Sequence, residues 1–121
     1  MPTPNPDTYT AGLGEIIRAA RLYMGLSKDG MAKKLTMSDR SYERIESGER
    51  DCPPGLLDSI DALIDAFEDQ VEEVITAARE SATSTLEISG DPRQEWRRCV
   101  VGRAALESRA LLPVLIDGDW V

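Results

Sequence analysis

The 121-residue chain contains no histidine. This removes the commonest general base and the commonest nitrogen ligand for zinc, so histidine-dependent triads and zinc motifs are excluded. Cysteine is nearly as scarce: Cys52 and Cys99 are the only two, far apart and without a C-x-x-C pair, so they offer neither a redox motif nor a metal knuckle. Their spacing leaves a disulfide open, but two lone thiols without a secretory signal read as reduced and partly buried. Aromatic residues make up 5% of the chain, one Phe, two Trp and three Tyr, too few for a platform on which single-stranded bases stack. No apolar run approaches the roughly 20 residues of a membrane span, and the opening MPTPNPD lacks the basic and apolar regions of a signal. No nucleophile/base pair and no phosphate loop is visible. The expectation is a soluble cytoplasmic protein that is not an enzyme, needs no cofactor or metal and has no membrane partner.

What is present is the material of one domain, or of a small domain with an appendage, at 41% apolar content. The net charge of −8 argues at first sight against a phosphate backbone as partner. Its distribution reverses the argument. Residues 13 to 50 hold 8 basic and 6 acidic residues, whereas residues 51 to 76 hold no basic residue and 8 acidic ones. The acid is a property of one segment.

The first ten residues are proline-rich, lack apolar periodicity and are expected to be disordered. From about Ala11, Leu13, Ile17, Ala20 and Met24 repeat at helical spacing until Gly25, a left-handed C-cap candidate. Ser27 is an N-cap for a short helix with Met31, Ala32 and Leu35 on one side and Lys28, Lys33 and Lys34 on the other. Ser38 is an N-cap for a third helix, with Tyr42 and Ile45 inward and Gly48 at its end. After a proline loop, the apolar positions 57, 60, 64, 67, 71, 74 and 78 alternate steps of 3 and 4. That helix would extend over ~35 Å, longer than three short helices cover, so part of its seam meets something else. A strand is expected near Thr85 to Ile88, a helix from Arg93 to about Ala110 with Trp96, Val100, Ala104 and Leu111 near one face, and a second strand in LLPVLIDGDWV, which Pro113 restricts to an edge. The fold class is mainly α: a four- to five-helix N-terminal domain, a long helix and a small α+β C-terminal segment. The expected divisions are residues 1–10, 11–80 and 81–121.

Three short helices joined by tight turns are the arrangement in which one helix braces another in a DNA major groove. With Tyr42 and Ile45 inward, Asp39, Arg40, Glu43 and Arg44 point outward and are the base-reading candidates. Arg40 and Arg44 lie one turn apart and could each bond guanine O6 and N7, worth roughly 1–3 kcal/mol of discrimination apiece. The bland alternative is a solvated charged face formed with Asp39 and Glu43.

Arg21, Gly25, Leu26, Ser27, Met31, Ala32, Leu35, Met37, Ser38, Tyr42, Ile45, Glu46, Gly48, Arg50 and Pro53 stand in the register of a known pattern. On these residues the chain from 13 to 65 resembles the lambda-repressor and Cro (XRE-like) class of helix-turn-helix regulators. The resemblance implies phosphate contacts at Ser27, Lys28, Ser41 and Arg50, with Lys33 and Lys34 either extending the rim or only keeping the surface soluble. It also implies an ion pair between Arg21 and Glu46, and positive φ at Thr36, where the family usually has glycine. A β-branched residue there is strained by ~1–2 kcal/mol, or the turn differs slightly.

The ending of the third helix and a W-R…A-A-L helix at Trp96, Arg97, Ala104, Ala105 and Leu106 make the layout similar to repressors associated with phage anti-CRISPR operons, which have a small C-terminal dimerisation domain. The expected partner is double-stranded DNA bearing an inverted repeat, read by a homodimeric autorepressor; the alternative is the antitoxin, or another protein-binding module, of a two-gene operon. Phe67, Val71, Val74, Ile75, Trp96, Val100, Leu111 and Val114 are the dimerisation candidates, with intrachain packing of the long seam as the competing reading. Asp58, Asp61, Asp65, Asp69 and Glu72 form an acidic stripe expected either to face solvent or to pair with Arg93, Arg97 and Arg98.

Overall fold

Helix α1, Gly14–Met24, stops where Gly25 takes a left-handed φ of 82° and its N–H donates to the Arg21 and Leu22 carbonyls. The computed structural model describes residues 12–117; the disorder expected for residues 1–10 lies outside them. Helix α2, Lys28–Lys34, and helix α3, Asp39–Ser47, each begin at a serine N-cap. The Ser27 hydroxyl accepts from Gly30 N–H and the Ser38 hydroxyl from Ser41 N–H, which satisfies an amide that has no partner inside its helix. Gly48, at φ 85°, ends α3. Helix α4 runs unbroken over Leu56–Glu80.

The chain divides into two units, residues 1–65 and 66–121. The division falls inside α4, whereas the sequence suggested a boundary at residue 80. In the first unit α3 packs on both α1 and α2, and Ile17, Met24, Met31, Tyr42, Ile45, Leu57 and Ile60 are buried. The core positions of α1 recur at steps of 3 and 4, so its buried face also includes Gly14. Cys52 is buried and Cys99 half-buried, and both are free thiols.

In the second unit, strand β1 (Thr85–Ser89), helix α5 (Glu95–Glu107) and strand β2 (Leu112–Asp117) form a crossover unit. The strands pair in parallel, with Thr85 beside Leu112 through Ile88 beside Leu115, and the register shifts between Ile88 and Ser89. Parallel neighbours need a long connection, and α5 supplies it by packing on both strands. The helix is shorter than Arg93 to Ala110. A 3-10 turn at Pro92–Gln94, started by the Asp91 carboxylate accepting from Arg93 N–H, precedes it, and Ser108 turns extended after Glu107. Leu111 is therefore buried from a loop and not from the helix.

The core of this unit holds Phe67, Val71, Ile75 and Ala78 of α4 with Val100, Val101 and Ala104 of α5. Phe67 and Trp96 meet edge to face, 5.6 Å between centroids, and the Trp96 indole donates to Gln70 at 2.9 Å. Burying each large apolar side chain contributes about 1.5–3 kcal/mol. The far half of the α4 seam is thus covered by the chain's own C-terminal segment.

Candidate nucleic-acid interface

The turn between α2 and α3 is closed by Thr36 N–H donating to Lys33 at 3.1 Å and Met37 N–H donating to Ala32 at 3.0 Å. Thr36 sits at φ 57°, so the turn has the left-handed geometry that the resemblance implies, built on a β-branched residue that favours it poorly. Across this turn α3 is held from behind. Tyr42 and Ile45 fill the core, and Gly14 brings α1 so close that a Cβ there would strike the Glu46 carbonyl and stand 2.9 Å from that of Ile45.

The Arg21 guanidinium grips Glu46 through two bonds, Nε to Oε2 and Nη2 to Oε1, each 2.9 Å, and its Nη1 donates to the Leu26 carbonyl at 3.0 Å. The pair is 11% and 5% exposed. Burial pulls the Glu46 carboxyl upward, but the guanidinium, helped by Tyr42 and Lys28, outweighs it and holds the group below the usual carboxylate range. Glu46 therefore contributes stability above the ordinary glutamate pKa that is lost as pH falls through its lowered one. Removing one partner of such a pair costs about 3–5 kcal/mol. The Tyr42 hydroxyl is fully buried and makes no hydrogen bond of ordinary geometry. Burial first, then the adjacent Glu46 charge, pushes its pKa up.

With that side of α3 occupied, Asp39, Arg40 and Glu43 are exposed on the other and Arg44 is partly exposed. Arg40 has no ion pair among the described residues. Arg44 has only a loose contact, its Nε 3.9 Å from Oε1 of Glu49. Neither guanidinium is bound by Asp39 or Glu43, as a neutralised charged face would require. Asp39 instead approaches Asp29, and this contact is the main reason its carboxyl is pushed up. Asp29 is lowered, chiefly by Lys33, whose Nζ lies 3.1 Å away. Sequence reasoning missed Asp29 and Gly14. The i, i+4 spacing to Lys33 signalled the first, and a glycine on the buried face of α1 signalled the second.

A family model described as a helix-turn-helix domain matches residues 13–74, 62 of the 121. The chain belongs to the helix-turn-helix family. No curated protein and no solved structure matches it. A DNA-binding, transcriptional-regulatory role follows from the family, and the helix-turn-helix architecture is that of a non-enzymatic protein. Among the described residues no His, Cys, Asp or Glu cluster could hold a metal ion, and no helix is long and apolar enough to cross a membrane.

The remaining expected contacts of this helix-turn-helix protein occupy different settings. Lys28, Lys34 and Arg50 are exposed and Ser41 is half-buried. Ser27 is engaged as the α2 cap and Lys33 by Asp29. Of the dimerisation candidates, Phe67, Val71, Ile75, Val100 and Leu111 are buried inside the second unit, Val74 and Trp96 are half-buried, and Val114 is exposed. Val114 belongs to an apolar strip with Leu112 and Ile116, which are 62% and 57% exposed. The sequence did not single out these two neighbours. In the acidic stripe Asp58, Asp65, Asp69 and Glu72 are exposed and Asp61 is half-buried. Arg93 pairs with Asp91 at 2.7 Å rather than with the stripe, and draws the Asp91 carboxyl down to about 2.

Proposed function

We propose that this helix-turn-helix protein is a homodimeric, sequence-specific autorepressor that occupies an inverted-repeat promoter site, with α3 in the major groove. The carrying observation is Arg40, exposed and without an ion pair among the described residues, one turn from Arg44, on a helix whose opposite side is packed and ion-paired. Arginine in that setting reads guanine through paired N–H groups. Lys28, Ser41 and Arg50, with Lys34 at the rim, fix the register on phosphates, which position the helix without specifying sequence. Asp39 and Glu43 repel phosphate and bias the surface toward selectivity over raw affinity, and the acid on α4 limits nonspecific adhesion.

One module buries too little surface to bind tightly, so two copies reading half-sites about 10 base pairs apart is the economical arrangement. Selection of binding sites from random duplex DNA tests the reading: a two-fold repeat of guanine-containing half-sites is expected, and the absence of any enriched sequence contradicts it. The exposed Leu112, Val114 and Ile116 strip favours a second reading, in which the second unit binds a protein encoded beside this one, as an antitoxin does. A neighbouring gene for a small toxin, with co-purification of the pair, would favour that reading.

A further inference from the structure

Among the described residues the two-stranded sheet has two open edges, and they are not equivalent. Leu112 N–H donates to the Ser84 carbonyl at 2.7 Å, so by the alternation of a parallel ladder Leu112 and Val114 face β1 while positions 113 and 115 face away. Position 113 is proline and has no N–H. The register then shifts, and the Asp117 carbonyl turns toward β1 to accept from Gly90 N–H at 2.8 Å. The outer edge of β2 is left with Leu115 as its one regular donor, an edge blunted by proline and a bulge.

On β1 the same alternation turns Leu86 and Ile88 toward β2 and points the amides and carbonyls of Thr85 and Glu87 outward. Neither amide has a partner among the described residues, and no proline or bulge interrupts Thr85–Ile88. Independently, a cavity of about 260 Å³ has a mixed wall, with Val74, Ala77, Ala78 and Leu86 on its apolar part and Glu73, Ser81, Thr83 and Arg97 on its polar part, and no β2 residue among them. Unfilled room therefore lies beside the Leu86 side chain.

We propose that β1 is the dimerisation edge: β1 of a second copy adds to it antiparallel, producing a continuous sheet of order β2-β1-β1-β2. This rests on the homodimeric reading above and names its interface. A second copy fits because the edge is self-complementary about a two-fold axis. With the axis at Leu86, Thr85 lies opposite the copy's Glu87, the outward amides and carbonyls of both are used, and the two Leu86 side chains meet beside the cavity. An axis at Glu87 would set that carboxylate against its own copy, and like charges directly opposite are unfavourable.

The test is sedimentation of the full chain without DNA at tens of micromolar. Glu87→Pro deletes only an outward N–H, a position where an edge strand tolerates proline, and Glu87→Lys keeps the amide. Wild type and Glu87→Lys are expected to sediment as dimers and Glu87→Pro as a monomer with unchanged helical circular dichroism. A monomeric wild type, or a Glu87→Pro dimer, overturns the proposal. Hydrogen exchange on the wild type gives a second measurement that does not depend on the variant folding. Thr85 and Glu87 amides should be protected at dimer concentration and lose protection on dilution; free exchange at both in an intact dimer refutes the edge. Single half-site binding, measured on the same proteins, reports separately on the role of α3.

Discussion

Replacing Gly14 with alanine tests how α1 aims the recognition helix. On an exposed helix interior the change is favourable by ~1 kcal/mol, because glycine loses the most backbone entropy. Here the added Cβ meets the Glu46 carbonyl and stands 2.9 Å from that of Ile45. Both obstacles are backbone, so no side chain can swing aside, and the helices must separate. Overpacking of this kind costs typically ~1–3 kcal/mol, which at least matches the propensity gain and leaves an expected net loss of up to about 2 kcal/mol. Separation also stretches the two 2.9 Å bonds between Arg21 and Glu46, so the same variant should lose discrimination between selected and random DNA. Urea denaturation followed by circular dichroism reads the first effect and fluorescence anisotropy on the two DNAs reads the second. A Gly14→Ala protein more stable than wild type, with discrimination intact, would refute the close-approach argument.

Three further outcomes are expected. Thr36→Gly relieves about 1–2 kcal/mol of left-handed strain at φ 57° against a glycine entropy cost of roughly 0.5–1 kcal/mol, so thermal denaturation should show a gain of a few degrees; a lower Tm counts against strain at that turn. Lys28→Ala should weaken selected and random DNA alike and reduce the slope of log affinity against log salt by about one, and an unchanged slope removes Lys28 from the phosphate contacts. The Asp39 carboxyl, held above its ordinary range by Asp29, gains its proton early as pH falls, which removes a negative charge facing phosphate. DNA affinity should therefore rise as pH drops toward the carboxylate range; if Asp39→Asn retains the full rise, Asp39 is not its source.

Most of the first unit was legible in the sequence because its signals are local. Ser27 and Ser38 as caps, Gly25 and Gly48 as stops, and the spacing of Tyr42 and Ile45 each act within one or two turns. Features that depend on distant partners were less legible. The seam at Phe67, Val71 and Ala78 looks the same whether a second copy or the chain's own α5 covers it, and Ile75 and Val101 joined the core through contacts made far along the chain. The parallel order of β1 and β2 could not be read from two apolar runs, since neither carries a mark of its partner's direction. Gly14 was overlooked because its role is the absence of a side chain against a helix 32 positions away. In the site, the charges were legible one by one. Their pairings were not: Asp29 takes Lys33 and Arg93 takes Asp91, while Arg40 has no ion pair among the described residues.

The central claim is that α3 reads DNA through Arg40 and Arg44. The most direct measurement is the affinity of wild type, Arg40→Ala, Arg44→Ala and the double variant for the selected site and for random duplex, at one salt concentration, with folding checked by circular dichroism. Each single change is expected to remove roughly 1–3 kcal/mol of discrimination, and the double variant should bind both DNAs about equally. If the folded double variant still prefers the selected site as strongly as wild type, α3 is not the reading helix.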